Sequence, residues 1–337
     1  ITSRPLCATT KSYEPAAALF TAMSLAGCSL TEREVIEETH ELHAPPRVMF
    51  LGDSIAAGYG LDGYTADDNY SCPDSYANIL KEKYTVELAE ICDHEMQNFA
   101  VSGATSSDLL ELLESGKLDS ALAETDAVVI SIGGNDLLAN VMTIVEALGV
   151  TKDNKSVDLD NIDFGAILSL MGTFENDVSA SLDLFEENLK TIARTVNEKT
   201  EGKVYIQTLY NPLEVFTDLP VVSDFSARTL NDFNEFIDYY EGDCDYRKID
   251  IAEAFNGRCD ELTRINEIDI HPNEAGHKLI AELVDETLSS RTYYYTTQTY
   301  GEPHLTVTAI ILIAGGIIVM ISIVVVIIPK LFKKYEK

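Results

Sequence analysis

The sequence predicts an α/β protein, a three-layer α/β/α sandwich around a central, doubly wound parallel sheet, with a transmembrane helix after it. Three observations carry this reading. Runs of aliphatic and β-branched residues at 48–51, 127–130 and 204–206 end in turns containing Gly, Asn or Pro, the pattern of strands buried on both faces. Helical periodicity fills residues 107–115, 136–148, 177–198, 226–240 and 273–289, so that strands and helices alternate. Residues 305–328 form an apolar run of 24 residues without a charge, long enough to cross a hydrocarbon core of roughly 30 Å.

In chain order, residues 1–28 read as a leader. Leu25-Ala26-Gly27-Cys28 resembles a bacterial lipobox, whose cysteine would be lipidated; a short amphipathic helix is the alternative reading. The acidic, polar stretch 29–46, closed by Pro45 and Pro46, reads as a mobile tether. A folded domain is expected over 47–290, with two further strands near 96–101 and 246–251. Residues 149–176 break the alternation and read as an insertion, either an excursion packed on the core or a lid over the site. Asp158, Asp160 and Asp163 within it miss the spacing of a calcium loop and read as a solvated acidic loop. Tyr293, Tyr294, Tyr295 and Tyr300 fall in a juxtamembrane linker, 291–304, where tyrosines sit at the headgroup level.

The anchor at 305–328 is followed by a tail, 329–337, carrying Lys330, Lys333, Lys334 and Lys337. Such a flank stays cytoplasmic, which places the acidic bulk of the chain outside. The 337 residues hold 24 basic and 56 acidic side chains, a formal charge of -32. A field of that sign repels phosphate backbones and excludes a nucleic-acid binder. In an exported domain, Cys72, Cys92, Cys244 and Cys259 would form two disulfides; short-range pairing, 72 with 92 and 244 with 259, is the simplest of three arrangements.

Chemistry concentrates where strands end. Gly52-Asp53-Ser54-Ile55 follows the first strand and exposes Ser54 on a turn. A serine hydroxyl needs a base to take its proton. Of six histidines, His271 in Asp269-Ile270-His271-Pro272-Asn273 is the one placed on a loop before a helix. Asn98-Phe99-Ala100-Val101-Ser102-Gly103 and Ser131-Ile132-Gly133-Gly134-Asn135-Asp136 end two more strands and could supply donors to a developing oxyanion. In isolation, each glycine is equally a turn residue and Asn135 a helix N-cap.

Taken in order, GDSI, NFAVSG, GGND and HPNEAGH resemble the GDSL, or SGNH, hydrolase family over about 47–289. The resemblance implies a flavodoxin-like sandwich and an esterase needing no metal or organic cofactor. It implies Ser54 as nucleophile, His271 as general base, and an oxyanion hole of Ser54, Gly103 and Asn135. The family's acid stands three residues before the histidine, where this chain has Ile268. Acids stand instead at Asp269 and Glu267. Asp269 is taken as the orienting acid, with a backbone carbonyl as the substitute. The expected substrates are acyl esters of lysophospholipid type; O-acetyl groups on carbohydrate, or acyl transfer to a sugar, are the alternatives. A catalytically dead glycan-binding module is the reading from another class.

Overall fold

The structure, a computed structural model, describes residues 30–137, 164–217, 220–267 and 269–328. The chain divides into two units, Glu41–Tyr293 and a terminal unit drawn from Ile1–His40 and Tyr294–Lys337.

Strands β1 (Thr31–Glu32) and β2 (Val35–Leu42) precede the main sheet. The sheet is formed by β3 (Arg47–Gly52), β4 (Glu95–Asn98), β5 (Ala127–Ser131), β6 (Lys203–Gln207) and β7 (Tyr246–Ile249), in the spatial order β4-β3-β5-β6-β7. Every pairing is parallel. The central strands β3 and β5 are buried almost throughout, because helices cover both faces; this is why they read as continuous apolar runs. The edge strands β4 and β7 are half-buried and polar. After β3 the chain crosses first to β4 on one side and then to β5 on the other. That reversal opens a crevice at the C-terminal ends of β3 and β5.

The helices are α1 (Ser54–Ala57), α2 (Tyr76–Leu88), α3 (Ser106–Glu114), α4 (Asp119–Ala123), α5 (Phe164–Lys199), α6 (Pro220–Tyr239), α7 (Ile251–Phe255), α8 (Cys259–Leu262) and α9 (Glu274–Ser289). The core joins Met49 and Leu51 of β3 and Val128 and Ile130 of β5 to Phe185, Leu189 and Ile192 of α5 and Phe233 of α6. The three-layer sandwich is thus as expected. Two elements differ. Helix α2 carries no clear apolar stripe, because its buried face includes Tyr76, Asn78 and Tyr84 beside Leu80 and Leu88. Helix α5 starts at Phe164 and runs 36 residues, so residues 164–176 belong to a helix rather than to a separate insertion. The rest of the expected insertion, including Asp158, Asp160 and Asp163, lies outside the described residues, as do the lipobox with Cys28 and the lysine-rich tail.

The terminal unit corrects the expectation of a loose tether and linker. β2 pairs with β8 (Tyr293–Tyr300), and β1 with β9 (His304–Leu305) in antiparallel register. Thr39 meets Thr296, His40 Nε2 lies 2.9 Å from the Thr297 hydroxyl, and Gln298 donates to Glu37. The residues flanking the domain therefore form ribbons with each other. An apolar helix follows, α10 (Val307–Ser322), continuing in wider turns over Ile323–Ile327. The span Val307–Val326 has a mean hydropathy of 3.1 and is long and apolar enough to cross a membrane.

The disulfide expectation is not met. Cys72, Cys92, Cys244 and Cys259 are free, buried thiols. Cys72 and Cys92 flank the 13-residue α2, about 20 Å long at 1.5 Å per residue. Cys244 and Cys259 lie before and after β7. Two of the sulfurs contact nearby carbonyls: Cys72 Sγ lies 3.6 Å from Gly58 O and Cys259 Sγ 3.7 Å from Phe255 O.

Candidate active site

At the end of β3, Gly52 has φ +128°, and a Cβ there would stand 1.8 Å from Ser131 O. Only glycine permits so close an approach of the two strand ends. The chain then turns into α1 with Asp53 as N-cap, its carboxylate accepting from Ile55 N–H at 3.0 Å. Ser54 is the first helical residue, so its own N–H has no acceptor within the helix and is available to a ligand.

Asp53 is almost fully buried. Burial pushes its carboxyl up from 3.8 to about 7, offset in part by the Ile55 N–H bond, the nearby His271 and the Ser131 hydroxyl.

His271 is brought to Ser54 by a loop fixed on both sides. Arg264 N–H donates to His271 O at 2.9 Å and Asn273 N–H to Leu262 O at 3.0 Å. Asn273 caps α9, accepting from Gly276 N–H. Gly276 is required by contact, since a Cβ would lie 2.2 Å from Leu262 O. The Tyr210 hydroxyl donates to Ile270 O at 2.6 Å. The outcome is a relay: His271 Nε2 lies 2.9 Å from Ser54 Oγ, and Nδ1 lies 2.5 Å from Asp269 Oδ1. The same carboxylate oxygen accepts from the His271 backbone N–H at 3.0 Å. Burial would raise the Asp269 carboxyl, but the two His271 bonds and the charges of His271 and Arg264 together bring it below the usual value. Glu267, the other acid near the histidine, is paired with Arg264 at 2.9 Å.

His277 is wholly buried in α9, accepts from Tyr76 N–H at Nδ1 and is pushed down to about 3 by burial. His40 and His304 belong to the terminal unit.

The loops expected to carry oxyanion donors end at the same place. Gly103 has φ +85°, and nothing lies within 4 Å of where a Cβ would stand, so the space on that side of the residue is open. Asn135 donates one amide hydrogen to Ala104 O at 2.9 Å, which joins the two loops and leaves the second hydrogen for a ligand.

Several supporting residues escaped the sequence reading. Asn98 donates to Ala56 O at 2.7 Å and accepts from Ala100 N–H, and Asn69 donates to Ala100 O at 2.7 Å. Together they tie the 98–103 loop to α1. Asp136 accepts from Ser106 N–H and hydroxyl, while Asn188 of α5 donates to that hydroxyl. Tyr59 packs against the His271 ring in a tilted arrangement, with centroids 4.6 Å apart and 50° between the ring planes. The signals in the sequence were Asn98 inside the NFAVSG block and Asp136 inside the GGND block.

A protein-family model described as the GDSL-like lipase/acylhydrolase family matches residues 50–279. The uncharacterized protein YpmR of Bacillus subtilis (strain 168) is 24% identical over 261 residues, covering 77% of this chain and 88% of that protein. Among solved structures, the lipase Lip_vut3 from a goat rumen metagenome aligns with a TM-score of 0.50 and 20% identity, over 71% of this chain and 96% of its own. Phospholipase A1 from Streptomyces albidoflavus NA297 aligns with a TM-score of 0.50 and 20% identity, over 72% and 99%. At such identity the structural likeness speaks to the fold.

Proposed function

Because the chain belongs to the GDSL-like lipase/acylhydrolase family, we propose that it is a membrane-anchored serine esterase that hydrolyses carboxylic esters through an acyl-enzyme. The observation that carries this is the Ser54–His271–Asp269 relay, with 2.9 Å and 2.5 Å between successive polar atoms. His271 Nε2 takes the Ser54 proton as Oγ bonds to the ester carbonyl carbon. The carbonyl oxygen becomes an oxyanion, held by the N–H groups of Ser54 and Gly103 and the Asn135 amide. The intermediate collapses, the C–O bond to the alcohol breaks, and the alcohol leaves with the proton from His271. Water then repeats the sequence on the acyl-enzyme: His271 takes its proton, the acid is released and Ser54 Oγ is protonated again. Asp269 fixes the tautomer and stabilises the imidazolium. The catalytically dead, glycan-binding alternative loses its motive, because the acid displaced in sequence lies within hydrogen-bond reach of the imidazole.

The domain order is part of the proposal: a leader at 1–28, the hydrolase domain over 47–290 between paired flanks, an anchor at 305–328, and a cytoplasmic tail at 329–337. The apolar Val307–Val326 span and the lysines after it support that orientation. Protease added to intact cells should degrade the catalytic domain; complete protection would refute the orientation. The reaction is tested with the full chain in detergent on aryl esters, beside Ser54→Ala. Turnover that Ser54→Ala abolishes without changing the melting temperature is expected, and full activity in that variant would overturn the mechanism.

A further inference from the structure

An apolar cavity of about 90 Å³ is lined in part by residues next in the chain to the relay. Its lining includes Ile55, Gly134 and Ile270, the chain neighbours of Ser54, Asn135 and His271. Away from them it is closed by aliphatic and aromatic side chains of α5, α6 and the loop after β6, among them Val178, Leu213, Phe225 and Leu230. A dry cavity of about 150 Å³ is known to hold the six carbons of benzene. Scaled by volume, this one holds about four. Among the described residues, the walls offer an ester no counter-charge: none of those lining the cavity is Lys, Arg, Asp or Glu. They suit the hydrocarbon of an acyl group rather than a sugar or a phosphate headgroup.

Resting on the esterase reading above, we propose that this cavity is the acyl pocket and that it makes the enzyme selective for short acyl esters, with butyrate near the optimum. An acetyl group leaves most of the space empty. Each methylene moved from water into the pocket strengthens binding about fourfold, so butyrate gains roughly fifteenfold in kcat/KM over acetate. With the carbonyl carbon at Ser54, about four further carbons fill the cavity; a chain longer than about six carbons overfills it by more than one methylene, and close-packed walls do not absorb the excess. Leu230 is half-buried on α6, so a larger side chain there fills the cavity with little strain on the core.

The test uses the full chain in detergent and aryl esters from acetate to decanoate, with Ser54→Ala as background. The expected profile rises about fifteenfold from acetate to butyrate and falls beyond hexanoate, and Leu230→Phe reverses the butyrate-to-acetate preference. Turnover that depends on Ser54 but is flat, or still climbing at decanoate, overturns the acyl-pocket assignment and leaves the esterase reading standing. No turnover at any length overturns both. Alkylboronic acids supply a second measurement. Boron accepts the Ser54 oxygen and His271 takes the proton, and the rise in Tm should be greatest for chains of three or four carbons. A rise that grows steadily to octyl overturns the assignment independently of kinetics.

Discussion

Replacing Asp53 with asparagine isolates one buried charge. The Asp53 Oδ1 accepts from Ile55 N–H at 3.0 Å and lies 3.5 Å from the Ser131 hydroxyl. An asparagine oxygen can accept from both, so the N-cap survives. What changes is titration. In the unfolded chain the carboxyl ionises at about 3.8, and in the folded protein at about 7, chiefly because of burial. Between those values the folded state holds a proton that the unfolded state has lost, so stability falls as pH rises across this window. A difference of about three pH units corresponds to about 4 kcal/mol, lost by pH 8 relative to pH 4. The assay is urea unfolding at intervals from pH 4 to 8.5, followed by tyrosine fluorescence, which is convenient because the chain has 16 Tyr and no Trp. Asp53→Asn should match the wild type near pH 4 and become progressively more stable above it. Parallel curves for the two proteins would show that Asp53 ionises normally and refute the reasoning.

Other expectations follow from the same geometry. Asp269→Asn should lower kcat by about 10² to 10⁴, since the amide no longer fixes the imidazole tautomer; a loss below fivefold in steady-state assays would assign that task elsewhere. The folded-state carboxyl of Asp269 is depressed, so its contribution to stability is present above about pH 4 and is lost as pH falls through the folded value. Acid titration of Asp269→Ala against the wild type should therefore converge at the acid end. Asn135→Ala should reduce kcat by about 10² to 10³ with KM little changed, a split readable from initial rates. Reductant should leave Tm unaltered, and alkylation after denaturation without reductant should label Cys72, Cys92, Cys244 and Cys259; mass spectrometry showing any of them linked would contradict their free, buried state.

Much of the site was legible because its key features are short-range. Gly52, Ser54, Gly103 and Asn135 sit in contiguous blocks at or just past strand ends, His271 sits in a block before the domain's last helix, and a buried parallel sheet declares its strand ends through uninterrupted apolar runs. The missing parts rest on contacts between residues far apart in the chain. Asn98 serves the site by holding Ala56 O, 42 residues away, and Asn188 reaches Ser106 across 82. The β2–β8 ribbon escaped notice for the same reason: polar strands whose partners lie more than 250 residues away look like tethers. The cysteine reading failed because an even count and nearness in sequence carry no information about which elements separate two sulfurs.

On the proposed assignment, Asp269 orients the imidazole from a position that local backbone geometry fixes. An aspartate whose side-chain oxygen accepts from the backbone N–H two residues on closes an Asx turn, and Asp269 does so with His271 at 3.0 Å. The same Oδ1 then receives the imidazole Nδ1 at 2.5 Å. Standing two residues before the histidine thus lets one oxygen fix both the backbone of the residue and the orientation of its ring. Arg264 Nε, 3.8 Å from the other oxygen, helps keep the carboxylate ionised.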